Sequence, residues 1–576
     1  MNRANRPRLS RISGSSYASR LMSRAGDGST LTLDFTTGLL DPRLSFERLS
    51  TATFINSSGL VQWADSNLFY NSTWTDANNT PALWSAGSGT ASRSNETRTF
   101  TTSASQVYIT QTRSTDSGIR YSASVEVTAI TGTQRVDDVI VALGGSSYQY
   151  YFNGSAVSGT TSLTPGIVGL AFTAGAATTT VRVGSGVQGT NTTGAVTIRY
   201  PQFEPGTVAS RIYRPNSSTT SSYQAPRFDH DPTTLAPKGL LIEGQQTNLV
   251  SNSNLQSGWL GGSNTTVTAN TSDVLSPDGT NNAAKVALTS AGYCSRFEAI
   301  SGLAASTTYT FSYWIRGTAG NQQRVYSVTG SADLVTQSTL TYTSTGWTRV
   351  QITFTTGASG PVTVYVYVAS RPTGTASDVL YIYGAQVELG TGASSLIPTG
   401  ASTATRDRDQ VTLTNLSSIN FSQTEGTCLA TVEVREKADS TFLPYGSFDT
   451  SGGGRCWWWL RHNLSTVAGT RLLGTAFNSG GSGVLNTSNY VYNGGSGGVV
   501  KFATSLDTAA SSMVFVIAGG SPQTTTAAAF TLATAAQWGL NTSTDTVATA
   551  LGSMWVQSFK YWPTKLSNAQ LQSLTL

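Results

Sequence analysis

Two stretches of the chain repeat one pattern, and this repeat limits the fold more than any other feature of the sequence. The segment IRYPQFEPGTVAS at 198–210 aligns with IYGAQVELGTGAS at 382–394 at a constant offset of 184 residues. Upstream, NLFYNSTW at 67–74 matches NLVSNSNLQSGW at 248–259. Self-similarity at a fixed spacing indicates duplicated structural units. We therefore predict two copies of one unit, module 1 at 66–212 and module 2 at 247–399, aligned on Gln202/Gln386, Glu204/Glu388, Gly206/Gly390 and Ala209/Ala393.

Short alternating runs indicate that the modules consist of strands. Val364-Tyr365-Val366-Tyr367-Val368 is one such run, and residues 121–127 form another. Period-two patterns of β-branched and aromatic residues are typical of β-strands. Charged residues are only 11% of the chain, and its 58 glycines suit tight turns better than helices. The fold class is therefore all-β, with two repeated jelly-roll β-sandwich modules.

The remaining stretch, 410–576, differs from the repeat but has the same strand-like character. GTCLATVEVRE at 426–436 and SMVFVIAGG at 512–520 are its clearest strands. We predict a third sandwich there, ending in one short helix after Ser567. The chain has three cysteines, which we interpret as small buried residues, with a Cys428–Cys456 bridge left open. The longest apolar runs are too short to span a bilayer, so we expect no membrane partner.

The positive charge of the chain is concentrated at its beginning. Six arginines precede the first acidic residue, Asp27, while the whole chain carries only +5, so the remainder sums to −1. We predict an extended basic arm at 1–32 that serves as a docking peptide for an acidic or groove-bearing protein partner. Nucleic acid is the less favoured partner, because few aromatic residues are interleaved with the charges. The predicted attachment residues are Arg3, Arg6, Arg8, Arg11, Arg20 and Arg24.

Three segments resemble bacteriophage virion proteins, and a fourth resembles a lectin fold. DFTTGLLDPRLSFERLSTATFINSSGLV at 34–61 and PRFDHDPTTLAPKGLLIEGQQTNLVSNS at 226–253 resemble one continuous stretch of tailed-phage virion and prophage fibre proteins, here separated by module 1. YGAQVELGTGASSLIPTGASTATRDRD at 383–409 is similar to the end of carbohydrate-binding-like modules in tail-fibre and head-spike proteins. KYWPTKLSNAQLQSLT at 560–575 is similar to the end of concanavalin-A-like (laminin-G-type) lectin folds.

The resemblance implies a virion appendage, a tail fibre or head spike, that binds host surface glycans. It divides the chain into the arm, a connector at 33–65 plus 213–246, the two carbohydrate-binding-like modules, and a concanavalin-A-like module at 410–576. The expected location is the virion, and the expected partners are other virion proteins of tail or capsid, further copies in a homotrimer, and host polysaccharide. Two alternatives stay open: a capsid head fibre or decoration protein, and a polysaccharide depolymerase spike.

Three groups of residues invite a chemical interpretation. Phe228-Asp229-His230-Asp231-Pro232 has metal-ligand residue types, but neighbours on a strand point to opposite faces and Asp-Pro starts turns. Glycoside hydrolysis needs two carboxylates in one cleft. Asp137 and Asp138 are sequence neighbours that we expect on opposite faces, and Glu204 and Glu388 hold equivalent repeat positions, so we expect neither pair to serve. We therefore predict no catalytic residues, no metal, no cofactor and no enzymatic activity. The connector residues Asp34, Arg43 and Arg48 are assigned either to a cap joining modules or to a subunit interface.

Three consecutive tryptophans are the candidate sugar-binding residues. Trp457, Trp458 and Trp459 lie in a Gly-rich part of the chain, where less side-chain cover is expected around a strand. Tryptophan rings supply large rigid contact area for stacking on sugars. The alternative is that all three pack in the core or against a partner chain.

Overall fold

Regular structure in this protein is almost entirely β, as predicted. The computed structural model describes residues 10–11, 27–75, 78–89, 91–102, 106–188, 193–207, 212–218, 220–255, 259, 261–317, 321–328, 331–337, 340–359, 362–376, 378–435, 443–451, 455–462, 470–477, 483–486, 490–492, 498–527, 530–542 and 553–576. Their contacts divide the described residues into two compact units. One comprises those within 1–13, 63–225 and 398–404, and the other those within 14–62, 226–397 and 405–576.

Module 1 contains two sheets that face each other across one apolar core. Val125 and Val168 of the larger sheet and Ile109 and Val183 of the smaller sheet are fully buried in this core. The smaller sheet has the strand order Ile140–Leu143, Thr178–Ser185, Val107–Ser114, Ser85–Ser88. The larger has the order Ser155–Val157, Gly145–Phe152, Gly166–Ala174, Arg120–Gly132, Gly194–Pro205, Thr97–Thr102, Ser92–Ser94.

Module 2 is also a two-sheet sandwich, and its core lies between two five-stranded sheets. Val325, Val364 and Val366 of one sheet pack with Phe311 and Ile382 of the other. The first sheet has the order Gly261–Ser263, Gly292–Leu303, Val362–Gly374, Gln323–Ser327, Ala332–Gln337. The second has the order Thr265–Thr268, Ala284–Leu288, Val379–Leu389, Thr308–Gly317, Thr348–Thr355.

A buried asparagine holds the beginning of module 2 against its closing strand. The Asn248 amide donates to Ala385 O at 3.1 Å and to Ile397 O at 2.9 Å. Its Oδ1 accepts from the backbone N–H of Val250 at 3.0 Å and of Val387 at 3.1 Å. One fully buried side chain therefore satisfies four backbone groups.

Asn67 makes the matching bonds in module 1. Its amide donates to Pro201 O at 3.1 Å and to Arg214 O at 2.8 Å, and its Oδ1 accepts from Phe69 N and Phe203 N, both at 3.2 Å. Pro201 and Phe203 occupy the aligned positions of the repeat, 184 residues before their counterparts. The asparagines that begin each repeat therefore perform one structural task.

The glutamates of the repeat are structural as well. The Gln202 amide donates to Glu204 Oε2 at 2.9 Å, and the Gln386 amide donates to Glu388 Oε2. All four side chains are buried, Gln386 and Glu388 completely. Because each pair is buried in the same way in its own module, a structural role explains why the pair recurs in the sequence.

The third sandwich is assembled from both ends of the chain, which differs from the predicted boundary at residue 410. One sheet has the order Arg227–His230, Pro237–Glu243, Ser553–Trp562, Glu425–Arg435, Val499–Asp507, Ser512–Ile517, Gln523–Thr526, and Leu31–Asp34 also pairs with Ser553–Trp562. The other has the order Ser45–Glu47, Gln410–Leu413, Gln537–Leu540, Leu443–Asp449, Arg455–His462, Thr470–Phe477, Gly483–Asn486, and Tyr490–Tyr492 also pairs with Thr470–Phe477. The predicted connector therefore supplies three strands of this sandwich, Ser45–Glu47, Arg227–His230 and Pro237–Glu243, and a fourth, Leu31–Asp34, spans its boundary with the predicted arm.

The basic arm is shorter than predicted. Asp27 forms an ion pair with Lys560 at 2.7 Å, and Leu31 and Leu33 are fully buried in the core of the third sandwich. The hydrophobic alternation of Leu31–Asp34, rather than the charge before it, accounts for the burial of this stretch. Residues 27–32 thus belong to the fold, and the prediction that they stand outside it is wrong.

Small elements complete the described part of the chain. The predicted helix is Asn568–Thr575, and Ser567 caps it by accepting from Gln570 N. Among the described residues, no helix has the length and apolar composition needed to cross a membrane. The 3₁₀ helices are Phe35–Thr37, Val136–Asp138 and Leu416–Ile419, and the two-stranded pairs are Ser10–Arg11 with Ile212–Tyr213, Ser66–Asn67 with Tyr223–Gln224, Gln246–Asn248 with Ala404–Arg406, and Thr53–Ile55 with Val61–Trp63.

A buried cluster of five charged side chains joins the segments on either side of module 2. We call it the charge cluster: Arg48, Arg227, Glu243, Arg406 and Asp409, each side chain at most 1% exposed. Arg227 bonds both carboxylates, Arg48 reaches Asp409 at 2.8 Å, and Arg406 reaches Glu243 at 3.0 Å. Arg48 of the connector therefore lies in the interior, which favours the first of its two predicted assignments.

Candidate functional site

One face of module 2 carries aromatic side chains directed away from the core. In strand Val362–Gly374, the valines at 362, 364, 366 and 368 are buried, which places Tyr365 and Tyr367 on the opposite face. Neighbouring strands add Phe297 on one side and Tyr326 on the other. The sequence predicted the strand from this alternation, but it did not predict that the tyrosine side would be a shared surface.

The rings form a connected row across three adjacent strands. The centroids of Phe297 and Tyr365 are 4.5 Å apart, and those of Phe297 and Tyr367 are 4.9 Å apart. Tyr326 stacks on Tyr365 with centroids 6.2 Å apart and an interplanar angle of 20°. Phe297, Tyr326 and Tyr365 are each partly exposed. We call Phe297, Tyr326, Tyr365 and Tyr367, with their polar neighbours below, the aromatic face.

A guanidinium group is fixed beside these rings. The Arg324 side chain lies over Tyr367 and Tyr326, 5.0 and 5.5 Å from the ring centroids. Its Nε donates to Asp333 Oδ1 at 2.6 Å, and its Nη1 donates to Tyr293 Oη at 3.3 Å. Arg324 is therefore held in place by a carboxylate and a phenol while remaining partly exposed.

The electrostatics keep this group charged. Burial lowers the pKa of Arg324, but the hydrogen bond and charge of Asp333 outweigh burial, so that pKa is raised. Burial and the neighbouring Tyr293 raise the pKa of Tyr367, which keeps its hydroxyl protonated. The aromatic face thus combines aromatic rings with a charged guanidinium that Asp333 holds in place.

This combination suits a ligand with apolar faces and many hydroxyl groups. Aromatic rings provide rigid apolar contact area, and their edges or hydroxyls accept further polar contacts. Arginine and aspartate supply directional hydrogen bonds that fix the orientation of a ligand.

The corresponding sheet of module 1 presents a different surface. Its outward residues on Val107–Ser114 and Thr178–Ser185 are mainly threonines, and Thr112 and Thr180 bond each other at 2.7 Å. Its aromatic residue there is Tyr108, with the Arg182 guanidinium 4.6 Å from the ring centroid. This surface therefore offers a natural control for substitutions on the aromatic face.

The residues predicted from the sequence as a site lie elsewhere. Trp457, Trp458 and Trp459 belong to strand Arg455–His462, whose backbone pairs with Leu443–Asp449 and Thr470–Phe477. Their side chains lie outside the described part of the structure, so their role stays a prediction. The same holds for the attachment arginines at 3, 6, 8, 20 and 24, and Arg11 is described only as part of the strand Ser10–Arg11.

The aspartates of the suspected metal motif at 228–232 make structural contacts. Asp229 accepts from Trp555 Nε1 at 2.7 Å and from Ile55 N at 2.5 Å. Asp231 accepts from Thr234 N at 2.7 Å and so forms the turn expected of an Asp-Pro step. Within the described residues, no group of three His, Cys, Asp or Glu side chains converges on a point.

The cysteines are free thiols, so the bridge left open between Cys428 and Cys456 does not form. Cys294, Cys428 and Cys456 are all buried. Burial raises the pKa of each thiol, well above its usual value for Cys428. These residues act as small apolar core side chains, as the sequence predicted.

Comparison with known proteins identifies one segment of the chain. Residues 247–375 match the family model described as a carbohydrate binding domain. A comparison of the whole sequence with curated proteins found no match. Every residue of the aromatic face lies within the matched segment.

Several solved structures are similar to parts of the chain. The CBM40 of a Ruminococcus gnavus IT-sialidase is 15% identical, covers 27% of this chain and 84% of its own, and gives a TM-score of 0.22. The C-terminal CBM6 of LamC from Zobellia galactanivorans is 14% identical over 24% of this chain and 99% of its own, with a TM-score of 0.16. The CBM22 tandem of Paenibacillus barcinonensis Xyn10C is 10% identical, covers 57% of this chain and 98% of its own, and gives a TM-score of 0.18.

These structural likenesses are distant, and the family match alone carries the functional argument. That match runs from strand Gln246–Asn248 through the whole of strand Val362–Gly374, and it stops before strand Val379–Leu389. It supports carbohydrate binding by residues 247–375.

Proposed function

We propose that the protein is a non-catalytic glycan-binding protein and that the aromatic face of module 2 is its binding site. The observation that carries this proposal is the connected row of Phe297, Tyr365 and Tyr326 inside the segment that matches a carbohydrate binding domain. The ligand stacks on the rings, and Arg324 with Asp333 bonds its hydroxyl groups.

The central ring decides the affinity. Tyr365 contacts both Phe297 and Tyr326, so its removal breaks the row in the middle. Truncating a central aromatic residue in an interface costs about 2 kcal/mol of binding free energy, or roughly 30-fold in Kd. We expect that loss for Tyr365→Ala, with Tyr365→Phe close to the native protein because it retains the ring.

The test is affinity electrophoresis of the full-length protein in gels that contain bacterial or plant polysaccharides. Tyr365→Ala and Tyr326→Ala should each run faster than the native protein in the gel of a bound polysaccharide. Tyr108→Ala is the matched control, because it removes an outward tyrosine from the corresponding sheet of module 1. Retardation unchanged in both Tyr365→Ala and Tyr326→Ala, with unchanged thermal stability, would contradict the proposal.

We further propose that the glycans are those of a host cell surface and that the protein is an appendage of a bacteriophage virion. The resemblance of residues 34–61 and 226–253 to tailed-phage fibre proteins supports this proposal. The arginine-rich first residues would attach a homotrimer to tail or capsid. Imaging of particles carrying a tagged copy distinguishes a tail fibre from a head fibre, and a tag that never co-purifies with particles would contradict a virion role.

The absence of catalysis is part of the same proposal. A depolymerase spike would clear zones in a lawn of encapsulated host cells, and it would shorten a soluble polysaccharide. We expect the purified protein to bind without either effect. Release of oligosaccharides from a bound polysaccharide would replace the adhesion role with an enzymatic one.

A further inference from the structure

A strand of the larger sheet of module 1 carries four aromatic residues, of which Tyr150 and Phe152 also pack against the core. Gly145–Phe152 contains Tyr148, Tyr150, Tyr151 and Phe152, all of them partly or largely exposed. Tyr148 is 45% exposed, an unusual fraction for so large a ring. The strand lies outside the segment that matches the carbohydrate binding domain.

The exposed ring of Tyr148 is held rigidly. Its hydroxyl lies 3.0 Å from Ala142 O and 2.9 Å from Gly145 O, and it accepts from Gly145 N at 3.1 Å. The ring also packs beside Phe172, with centroids 6.3 Å apart. The ring is therefore nearly half exposed, and its side chain loses little freedom on binding a ligand.

Polar groups converge on the neighbouring Tyr150. Gln188 donates its side-chain amide to Tyr150 Oη at 2.9 Å. Asp137 approaches from the other side: a Cβ on Gly159 would lie 3.0 Å from Asp137 Cβ and 3.1 Å from Tyr150 Cε2. Only a glycine at 159 lets these two side chains come so close.

Arg135 completes the group by bonding Asp137 with two parallel hydrogen bonds. Its Nε donates to Asp137 Oδ1 at 3.0 Å and its Nη2 donates to Oδ2 at 3.2 Å. Both side chains remain partly exposed, at 33% and 16%. Asp138 is buried next to them, and its Oδ2 accepts from the backbone N–H of Arg135 at 2.9 Å.

We propose that Tyr148, Tyr150, Arg135, Asp137 and Gln188 form a second glycan-binding site, on module 1. We call it the side site. Its components repeat the chemistry of stacking rings and planar hydrogen-bonding groups on a separate part of the chain. The two partly exposed charges, Arg135 and Asp137, pair with each other and leave no net positive charge, which suits an uncharged glycan better than a polyanion such as nucleic acid or a sulfated polysaccharide.

The side site has a consequence for attachment. Two sites on one chain that engage the same polysaccharide bind with an apparent affinity above that of either site, because the second event is intramolecular. The proposal rests on the geometry of module 1 and is independent of the aromatic face.

The experiment uses the full-length protein with the aromatic face disabled by Tyr365→Ala and Tyr326→Ala. Affinity electrophoresis in a panel of uncharged polysaccharides then reports the side site. We expect residual retardation in at least one gel, and we expect Tyr148→Ala or Gln188→Ala to weaken that binding at least fivefold. Tyr108→Ala in the same background is the matched control and should change nothing.

Two readouts keep the test decisive. Tyr148→Ala removes hydrogen bonds to the backbone, so the melting temperature of this variant is measured. If Tyr148→Ala unfolds module 1, the result for Gln188→Ala decides the test. Binding should be the same in 50 and 500 mM NaCl, since an uncharged ligand has no counterions to release.

The outcomes separate this proposal from the function of module 2. Loss of all binding in the background protein, with native binding insensitive to Gln188→Ala, overturns the side site and leaves the aromatic face intact. Loss of binding through Gln188→Ala but not through Tyr365→Ala supports the side site and overturns the aromatic face. Salt-sensitive binding, or self-association abolished by Gln188→Ala without any effect on glycans, shows an interface for another macromolecule and overturns the side site.

Discussion

At the scale of single residues, the charge cluster is the most demanding part of the structure. Glu243 receives bonds from Arg227, Arg406 and Ser395 in the interior of the protein. Removing one partner of a buried ion pair leaves an uncompensated charge, which destabilises by about 3–5 kcal/mol. Glu243→Gln should therefore lower the unfolding free energy of the third sandwich by that amount.

Urea unfolding, monitored through hydrogen exchange in strand Pro237–Glu243, measures this effect locally. Asp273→Asn serves as the control, because the Asp273–Lys285 pair is exposed, at 40% and 31%. Exposed pairs contribute little to stability, because water screens both charges. Equal effects of the two substitutions would show that the charge cluster contributes no more than a surface pair.

The same glutamate makes stability depend on acid. Burial raises the pKa of Glu243, but the charges of Arg406 and Arg227 and the bonds from Ser395 outweigh burial and hold that pKa far below its ordinary value of 4.5. As the pH falls below about 4.5, the unfolded chain takes up a proton that the folded chain refuses. The stability that this carboxylate contributes is thus complete at neutral pH and is lost progressively under acid.

Urea midpoints measured at pH 7, 5, 4 and 3 test this linkage. The native protein should lose stability more steeply below pH 4.5 than Glu243→Gln does, so the two curves converge toward low pH. A residual slope should remain in the variant, because the ion pair with Lys560 and bonds from Ser29 also outweigh burial and lower the pKa of Asp27 to about 2. Parallel curves would exclude Glu243 as the titrating group.

Single residues also show which contacts could not be predicted from the sequence. The charge density around Arg48 was visible, but its partner Asp409 is 361 positions away. No local pattern pairs two residues at that distance, so a buried cluster and a subunit interface looked alike. The buried roles of Gln202 and Gln386 were easier to predict, because the repeat shows them twice.

At the scale of elements, the two matching asparagines allow a paired prediction. Asn248→Ala leaves buried N–H and C=O groups without partners at both ends of module 2, which should cost about 2–4 kcal/mol. Asn67→Ala should cost a similar amount in module 1. Hydrogen exchange should rise in the closing strand of the substituted module only, namely Val379–Leu389 or Gly194–Pro205.

The control for that prediction is Gln245→Ala, since Gln245 bonds Asp407 at the surface. Exposed substitutions of this kind usually change stability by less than about 0.5 kcal/mol. A rise of exchange across both modules in either asparagine variant would contradict a local role.

Elements with a local signal were the predictable ones. The helix Asn568–Thr575 follows from the capping box of Ser567 and Gln570, and strand Val362–Gly374 follows from its alternation. The aromatic face has no such signal, because Phe297, Tyr326 and Tyr365 come from three strands that are adjacent in the sheet and separate in the sequence. Sequence reasoning therefore favoured the visible run at 457–459 instead.

At the scale of the whole molecule, module 1 is inserted in the sequence between two segments of the third sandwich, and this insertion leads to a deletion experiment. The backbone N–H of Ala225 donates to Asp65 O at 2.8 Å, so the two ends of the intervening segment lie side by side. Removing residues 66–224 and joining Asp65 to Ala225 through two glycines should leave a folded protein that still binds glycans through the aromatic face. Circular dichroism and affinity electrophoresis measure both properties.

The fragment 410–576 is the counterpart of that deletion. It lacks the four strands that 27–62 and 226–246 contribute, so it should be insoluble or unfolded on its own. A folded fragment with a cooperative thermal transition would contradict the assembly of this sandwich from both ends of the chain.

The pairing of Leu31–Asp34 with Ser553–Trp562 also determines the order of events during synthesis. Asp27 and its partner Lys560 are 533 positions apart. At 5–20 residues per second, a ribosome needs roughly 30–110 s to cover that distance. Both modules can fold in this interval, whereas the apolar strand with Leu31 and Leu33 emerges early and waits for a partner not yet made. The time for which this strand stays exposed in a cell is therefore fixed by the speed of translation.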